Sequence, residues 1–162
     1  MRAFKRLVFL GAVAAFGAIA VPQVAVAASC DIDPTKGGGG MAATSRFGTW
    51  RPYYNGGKGG GHGGQDLRAA VGMQLYSPFD GTVAYKSVQP NGAGNFLAIR
   101  NSSGDLVWFM HLSGYANGMV VGAKVTAGQF VALSGNTGRS SGPHLHLEYT
   151  VKRKDDARNT WV

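Results

Sequence analysis

The stretch GPHLHLEYTV, residues 142–151, sets two histidines one residue apart in a run that otherwise reads as an apolar strand. In an extended chain successive side chains point to opposite faces, so His144, His146 and Glu148 share one face while Leu145 and Leu147 take the other. Taken alone, this is the ordinary look of a half-exposed edge strand whose histidines are solvated. The rest of the chain decides whether the imidazole face has partners.

Four further runs repeat the same β character: GTVAYKSV (81–88), NFLAIRN (95–101), LVWFMHL (106–112) and QFVALSG (129–135). Each is short, rich in β-branched and aromatic residues, and bounded by Gly, Asn, Ser or Pro. NSSGD (101–105) reads as a hairpin loop between the second and third. No ten-residue window after residue 27 carries a 3.6-residue period, and there is no internal repeat. The expectation is one all-β, antiparallel domain.

The chain has 162 residues and 26 glycines, a load that favours turns over helices. Residues 1–27 have a logic of their own: a basic start (MRAFKR), an apolar run (LVFLGAVAAFGAIAV) and a small-x-small site at Ala25–Ala27. This predicts a secretory signal peptide cleaved after Ala27, the alternative being an uncleaved membrane anchor. Cleavage removes Arg2, Lys5 and Arg6 but no acid, and the net charge falls from +8 to +5. A basic exported domain is drawn to polyanions such as cell wall or lipid head groups. Export, and the lack of a basic helix or aromatic ladder, argue against nucleic acid. Cys30 is the only cysteine, so no intramolecular disulfide can form. AASC (27–30) could also be a degenerate lipoprotein-processing site with Cys30 lipidated, although Ala27 stands where a larger aliphatic is usual. Residues 28–43 read as a flexible leader, and 44–162 as the folded domain. SRFGTWRPYYNGGKGGGHGGQDL (45–67) reads as a long glycine-rich loop of functional type.

That loop holds His62 and Asp66 in an H-x-x-x-D spacing, and the two glycines between them favour a loop or strand entry over a helix. Imidazole nitrogen and carboxylate oxygen are zinc ligands, and one histidine of the His-x-His strand would complete a set of three. Three protein ligands leave a fourth position for water, whose pKa zinc can lower to about 7. His111, at the end of LVWFM, reads by itself as a satisfied core histidine. The absence of H-E-x-x-H excludes the helical zinc-protease arrangement with its glutamate base, so histidine would have to handle protons.

HGGQD (62–66), MHL (110–112) and SGNTGRSSGPHLHLE (134–148) resemble the three motifs of the lysostaphin/LytM-type zinc metallopeptidases, peptidoglycan endopeptidases that cut peptide cross-links of the bacterial wall. SPFDGTV (77–83) and KVTAGQFVALSG (124–135) also fit, and the resemblance runs from about Ser45 through Tyr149. It implies a compact antiparallel β-sheet domain of the duplicated-hybrid-motif type. A groove is implied too, walled by the glycine-rich loop and by loops 113–119 and 135–143. It further implies one zinc per chain on His62, Asp66 and His146, with His144 and His111 as the unliganded catalytic pair. Glu148 would orient one histidine as an acceptor, or be a surface glutamate.

The implied substrate is the peptide stems or bridges of peptidoglycan, met in the periplasm or outside the cell, with no membrane span after processing. The rival readings are a non-enzymatic LytM-like module that activates a cell-wall amidase, and a zinc-binding or wall-anchoring protein without turnover. Two departures from the family pattern stand out. Thr49 and Trp50 precede Arg51 where an Arg often follows Phe-Gly sooner, and the chain stops at NTWV, short of where relatives commonly end.

Overall fold

The structure is a computed structural model, and it describes residues 33–36, 43–46, 48–51 and 60–151. The expected signal peptide and Cys30 lie outside the described residues, as do most of the expected leader and the end of the chain. Within that leader, residues 33–36 form a turn that docks on the domain: the amide of Tyr76 donates to the Pro34 carbonyl at 2.8 Å, and Thr35 is buried. The ammonium of Lys36 lies 3.9 Å from the centre of the Tyr76 ring. This part of the leader is therefore held by backbone pairing and a cation–π contact.

The described residues contain twelve strands and no helix. They are β1 Ala43–Ser45, β2 Trp50–Arg51, β3 Gly60–Gly61, β4 Gln65–Arg68, β5 Gln74–Tyr76, β6 Gly81–Gln89, β7 Gly94–Arg100, β8 Leu106–Leu112, β9 Gly114–Tyr115, β10 Lys124–Val125, β11 Phe130–Leu133 and β12 His144–Thr150. A seven-stranded antiparallel sheet runs β1-β4-β12-β8-β7-β6-β10, a three-stranded sheet runs β5-β11-β9, and β2 pairs with β3. The five strands expected from sequence are all present, their ends shifted by at most two residues. The two- to four-residue strands are additional. They are too short to show a period, and tertiary pairing makes them.

Alternation does what the sequence promised. Leu97 and Ile99 of β7, Val107 and Phe109 of β8, and Leu145 of β12 are buried in one apolar cluster that also takes Leu75, Val131 and Ala132 from the three-stranded sheet. The other face of β8 and β12 carries Trp108, Met110, His144, His146 and Glu148, all of which line the groove. NSSGD closes the β7–β8 hairpin, with the Asn101 amide donating to the Asp105 carbonyl at 3.0 Å and the Asp105 amide to Asn101 Oδ1 at 2.9 Å.

One irregularity breaks the alternation of β8. Asn95 pairs with Leu112 and Leu97 with Phe109, so Met110 and His111 together face Phe96 alone. His111 has φ 61°. This bulge turns His111 away from the core side, where strict alternation after Val107 and Phe109 would have put it.

Phe109 is fully buried at the centre of this packing. Phe109→Ala should cost about 3–5 kcal/mol of unfolding free energy by urea denaturation, the usual range for deleting a buried aromatic ring. A loss below about 1 kcal/mol would show that the two sheets do not share one core.

Candidate active site and its relatives

Asp66 on β4 sits opposite His146 on β12, and His146 sits opposite Met110 on β8, so the site is built on one cross-strand row of the large sheet. His62 precedes β4 and returns to it through the Gly63–Gly64 bend. A Cβ on Gly64 would lie 2.5 Å from the Leu147 carbonyl and 2.8 Å from His146 Nε2. Only glycine lets this bend lie against β12.

The five residues singled out in the sequence come together. Asp66 Oδ1 lies 2.8 Å from His146 Nδ1, 3.1 Å from His62 Nε2 and 3.4 Å from His144 Nε2, and His62 Nε2 is 3.0 Å from His146 Nδ1. The rings of His111 and His144 have centres 4.7 Å apart. Two overlapping groups have ligand atoms close enough to hold a metal ion: His62, Asp66 and His146, and His111, His144 and His146. Each triplet's ligand atoms lie within 4.8 Å of one another.

Each imidazole spends one nitrogen on an oxygen of the fold. His62 Nδ1 is 3.0 Å from the Arg46 carbonyl, His111 Nδ1 2.8 Å from the Thr137 carbonyl, and His144 Nδ1 2.8 Å from the Gly142 carbonyl. A carbonyl only accepts, so in each ring Nδ1 carries the hydrogen and donates it. His146 is turned round: its Nε2 lies 2.8 Å from Glu148 Oε1, which leaves Nδ1 towards Asp66. Glu148 is thus an acceptor for a site histidine rather than a bare surface acid. Ser140 adds a hydroxyl 3.1 Å from His144 Nδ1.

The consequence for the first triplet is electrostatic. His62 Nε2, His146 Nδ1 and Asp66 Oδ1 all turn lone pairs towards one another at about hydrogen-bond distance. Lone pairs that meet without a proton repel, so the arrangement calls for a cation, either protons or a metal. Without metal the protons do this work. Burial opposes charge on His146, but hydrogen bonds to Asp66 and Glu148 and the charges of both acids outweigh it and raise its pKa to about 9. Burial likewise opposes ionisation of Asp66. Hydrogen bonds from His144 and His146, with the charges of His62 and His144, prevail and hold the carboxyl well below the usual carboxylate range. His144 is raised despite burial, through Asp66 and the Gly142 carbonyl. His111 is lowered, first by burial and then by its charged histidine neighbours.

The groove above these residues is walled by Thr44, Ser45 and Thr49, by Gln89 and Asn91–Ala93, and by Gly138–Pro143, and is also lined by Phe96, Trp108 and Met110. The glycine-rich segment and loop 135–143 are walls as expected. Loop 113–119 is not among the lining residues. Gly114–Tyr115 is captured as β9 against β11, and Met119 is buried in the core. The β6–β7 turn takes its place. That turn carried no chemical signal in the sequence, and neither did the carbonyls of Arg46, Thr137 and Gly142.

An antiparallel sheet with an Asp and two His converging on one point, beside two further imidazoles, has the arrangement of a metallopeptidase domain. Residues 60–159 match the family described as Peptidase family M23, and the chain belongs to it. It is 38% identical over 91 residues to the peptidoglycan DD-endopeptidase ShyA of Vibrio cholerae, covering 56% of this chain and 20% of that protein. It is 37% identical over 98 residues to the glycyl-glycine endopeptidase ALE-1 of Staphylococcus capitis, covering 60% of this chain and 26% of that one. The chain spans about a fifth to a quarter of these relatives. Among solved structures, the catalytic domain of lysostaphin from Staphylococcus simulans superposes with a TM-score of 0.61 at 30% identity, covering 72% of this chain and 83% of that one. A zinc-containing peptidase from Vibrio cholerae gives 0.60 at 37%, covering 67% and 33%.

The raised pKa of His146 fixes a sign. Its pairing with Glu148 stabilises the metal-free fold fully below the unfolded value of 6.5 and is lost as pH rises through about 9. The stability gap between the metal-free protein and its Glu148→Gln variant should therefore shrink between about pH 6 and about pH 10. Urea titrations at a series of pH values would read it, and a gap that widened over that range would contradict the pairing.

Proposed function

We propose that this chain is an exported zinc endopeptidase that hydrolyses peptide cross-links or bridges of bacterial peptidoglycan. The observation that carries the reading is the convergence of three ligand atoms, from His62, Asp66 and His146, each remote imidazole nitrogen being held by an oxygen. A nitrogen and oxygen donor set with orienting hydrogen bonds suits zinc, and three protein ligands leave a coordination position for water. When bound, zinc acts as a Lewis acid towards the scissile carbonyl and a bound water.

The protein's own groups divide the remaining work. His144 spends its Nδ1 hydrogen on the Gly142 carbonyl, and its Nε2, which pairs with Asp66 in the metal-free protein, would be released as a base once zinc holds that carboxylate and would take the proton of the attacking water. His111, neutral and tied at Nδ1 to Thr137, also presents an accepting nitrogen. It orients the water by accepting its second hydrogen, and it can donate to a developing oxyanion only after it has gained a proton.

The basic, signal-like start of the sequence supports export, and the peptidoglycan-cutting relatives support the substrate class. Among the described residues no helix is long and apolar enough to cross a membrane. All five positions of the site are filled and brought together, which favours turnover over a module that only activates an amidase.

His62→Ala, Asp66→Ala and His146→Ala should each lose zinc by elemental analysis. His144→Ala should keep it while losing turnover by roughly a hundredfold, the scale of a general base. Mass spectrometry of products from purified sacculi reads the activity. Zinc lost with His144 and kept with His146 would reverse their roles. A zinc-loaded chain that cut nothing, yet stimulated a separate amidase even as His144→Ala, would replace the enzyme by the activator.

A further inference from the structure

All four histidines of the chain meet at this one site, and the metal set of His62, Asp66 and His146 uses two of them. The other two, His111 and His144, are held in the same way as the ligands. Each has its Nδ1 hydrogen tied at 2.8 Å to a backbone carbonyl, of Thr137 and Gly142 respectively, which leaves Nε2 as the nitrogen with a lone pair. A ring oriented by an oxygen on its remote nitrogen is the usual arrangement of a metal-ligating histidine. His111, His144 and His146 accordingly form a second group whose ligand atoms lie within 4.8 Å of one another, and the rings of His111 and His144 have centres 4.7 Å apart.

The two groups share His146, and that sharing decides what the second can hold. His146 Nδ1 lies 2.8 Å from Asp66 Oδ1 and 3.0 Å from His62 Nε2, while its Nε2 lies 2.8 Å from Glu148 Oε1. With a first ion on Nδ1, His146 has no second lone pair to give. What remains is His111, His144 and the Asp66 carboxylate, whose Oδ1 lies 3.4 Å from His144 Nε2. A carboxylate has two oxygens and can bridge two cations, as in sites where paired ions stand about 3.5–4 Å apart. Imidazole nitrogen suits zinc in the second place as in the first. The second ion would be held more weakly, because it shares its carboxylate and is repelled by the charge of the first.

We propose that His111 and His144, with Asp66 as the bridge, bind a second zinc ion of lower affinity, and that this ion switches turnover off. The proposal deepens the zinc-peptidase reading above and rests on it for the first ion. With both Nε2 lone pairs bound to the second ion, neither ring can accept a proton from water, so its binding removes the base and the orienting group together. Zinc is then required at one ion per chain and inhibitory at two.

The test is equilibrium dialysis of the full chain against rising free zinc, with elemental analysis of the bound metal and cleavage of purified sacculi measured at the same zinc concentrations. Cys30 is the only thiol, so every protein used carries Cys30→Ser to remove a competing soft ligand. This parent protein should take up one zinc per chain and then a second at a free zinc concentration about a hundredfold higher, and cleavage should fall with the midpoint of the second step. His111→Ala and His144→Ala should each keep the first step, which also shows that they fold, and lose the second. Saturation of the parent at one ion, a second ion retained in either variant, or cleavage undiminished as the second ion binds would overturn the proposal. A parent that cut nothing at any zinc concentration would remove the peptidase reading and the inhibition with it, while two binding steps, the second lost in both variants, would still establish the second ion.

Discussion

A single carboxylate oxygen organises this molecule. Asp66 Oδ1 is buried and lies within 3.4 Å of nitrogens from His62, His144 and His146, which come from the start of the folded region and from its last strand. That meeting depends on the register of β4 against β12, which pairs Asp66 with His146. A one-residue slip would turn both imidazoles of β12 towards the core and both leucines towards solvent, so the hydrophobic face that stabilises the sheet also fixes the chemistry on the other face. Core packing and site assembly are one constraint viewed from two sides.

The loop between β11 and β12 extends this logic. Thr137 and Gly142 both belong to it, and their carbonyls take the Nδ1 hydrogens of His111 and His144. Two side chains from different strands thereby acquire the same tautomer from one loop. Thr137 also secures the loop itself, through Oγ1 donating to the Leu112 carbonyl at 2.8 Å and accepting from the Asn95 amide at 3.0 Å. The hydrogen-bonding capacity of the loop's carbonyls is thus spent on holding the two imidazoles in one orientation.

How much of this was legible in the sequence follows from which signals are periodic. The strand 144–150 could be read because apolar and polar residues alternate along it, and that alternation placed His144, His146 and Glu148 on a common face. The long hairpin of β7 and β8 was legible for the same reason. His111 was not: period two assigns it to the core, and only the resemblance of its motif placed it with the others. The bulge that brings it to the groove is a register event between two strands, and no residue of either strand announces it. Exchanging loop 113–119 for turn 89–93 as a groove wall has a similar origin. Whether a segment becomes a wall or an edge strand is decided by what it pairs with, and Gly114–Tyr115 finds β11. The three ligand atoms of the candidate metal site were legible as residue types, and so was Glu148 as a partner for one histidine, whereas the Arg46 carbonyl that orients His62 has no side-chain identity to read.

The left-handed backbone of His111 carries a cost of its own. A non-glycine residue at φ 61° is disfavoured relative to glycine by roughly 1 kcal/mol or more, and the strand around it must supply that energy continuously. The neighbouring loop has given up a side chain to make room, since a Cβ on Gly135 would press on the His111 carbonyl at 2.6 Å. At position 111 the backbone conformation favours glycine, while the tie of the imidazole Nδ1 to the Thr137 carbonyl keeps a side chain there. The imidazole is thus held in the groove at a standing backbone cost that a glycine would not carry.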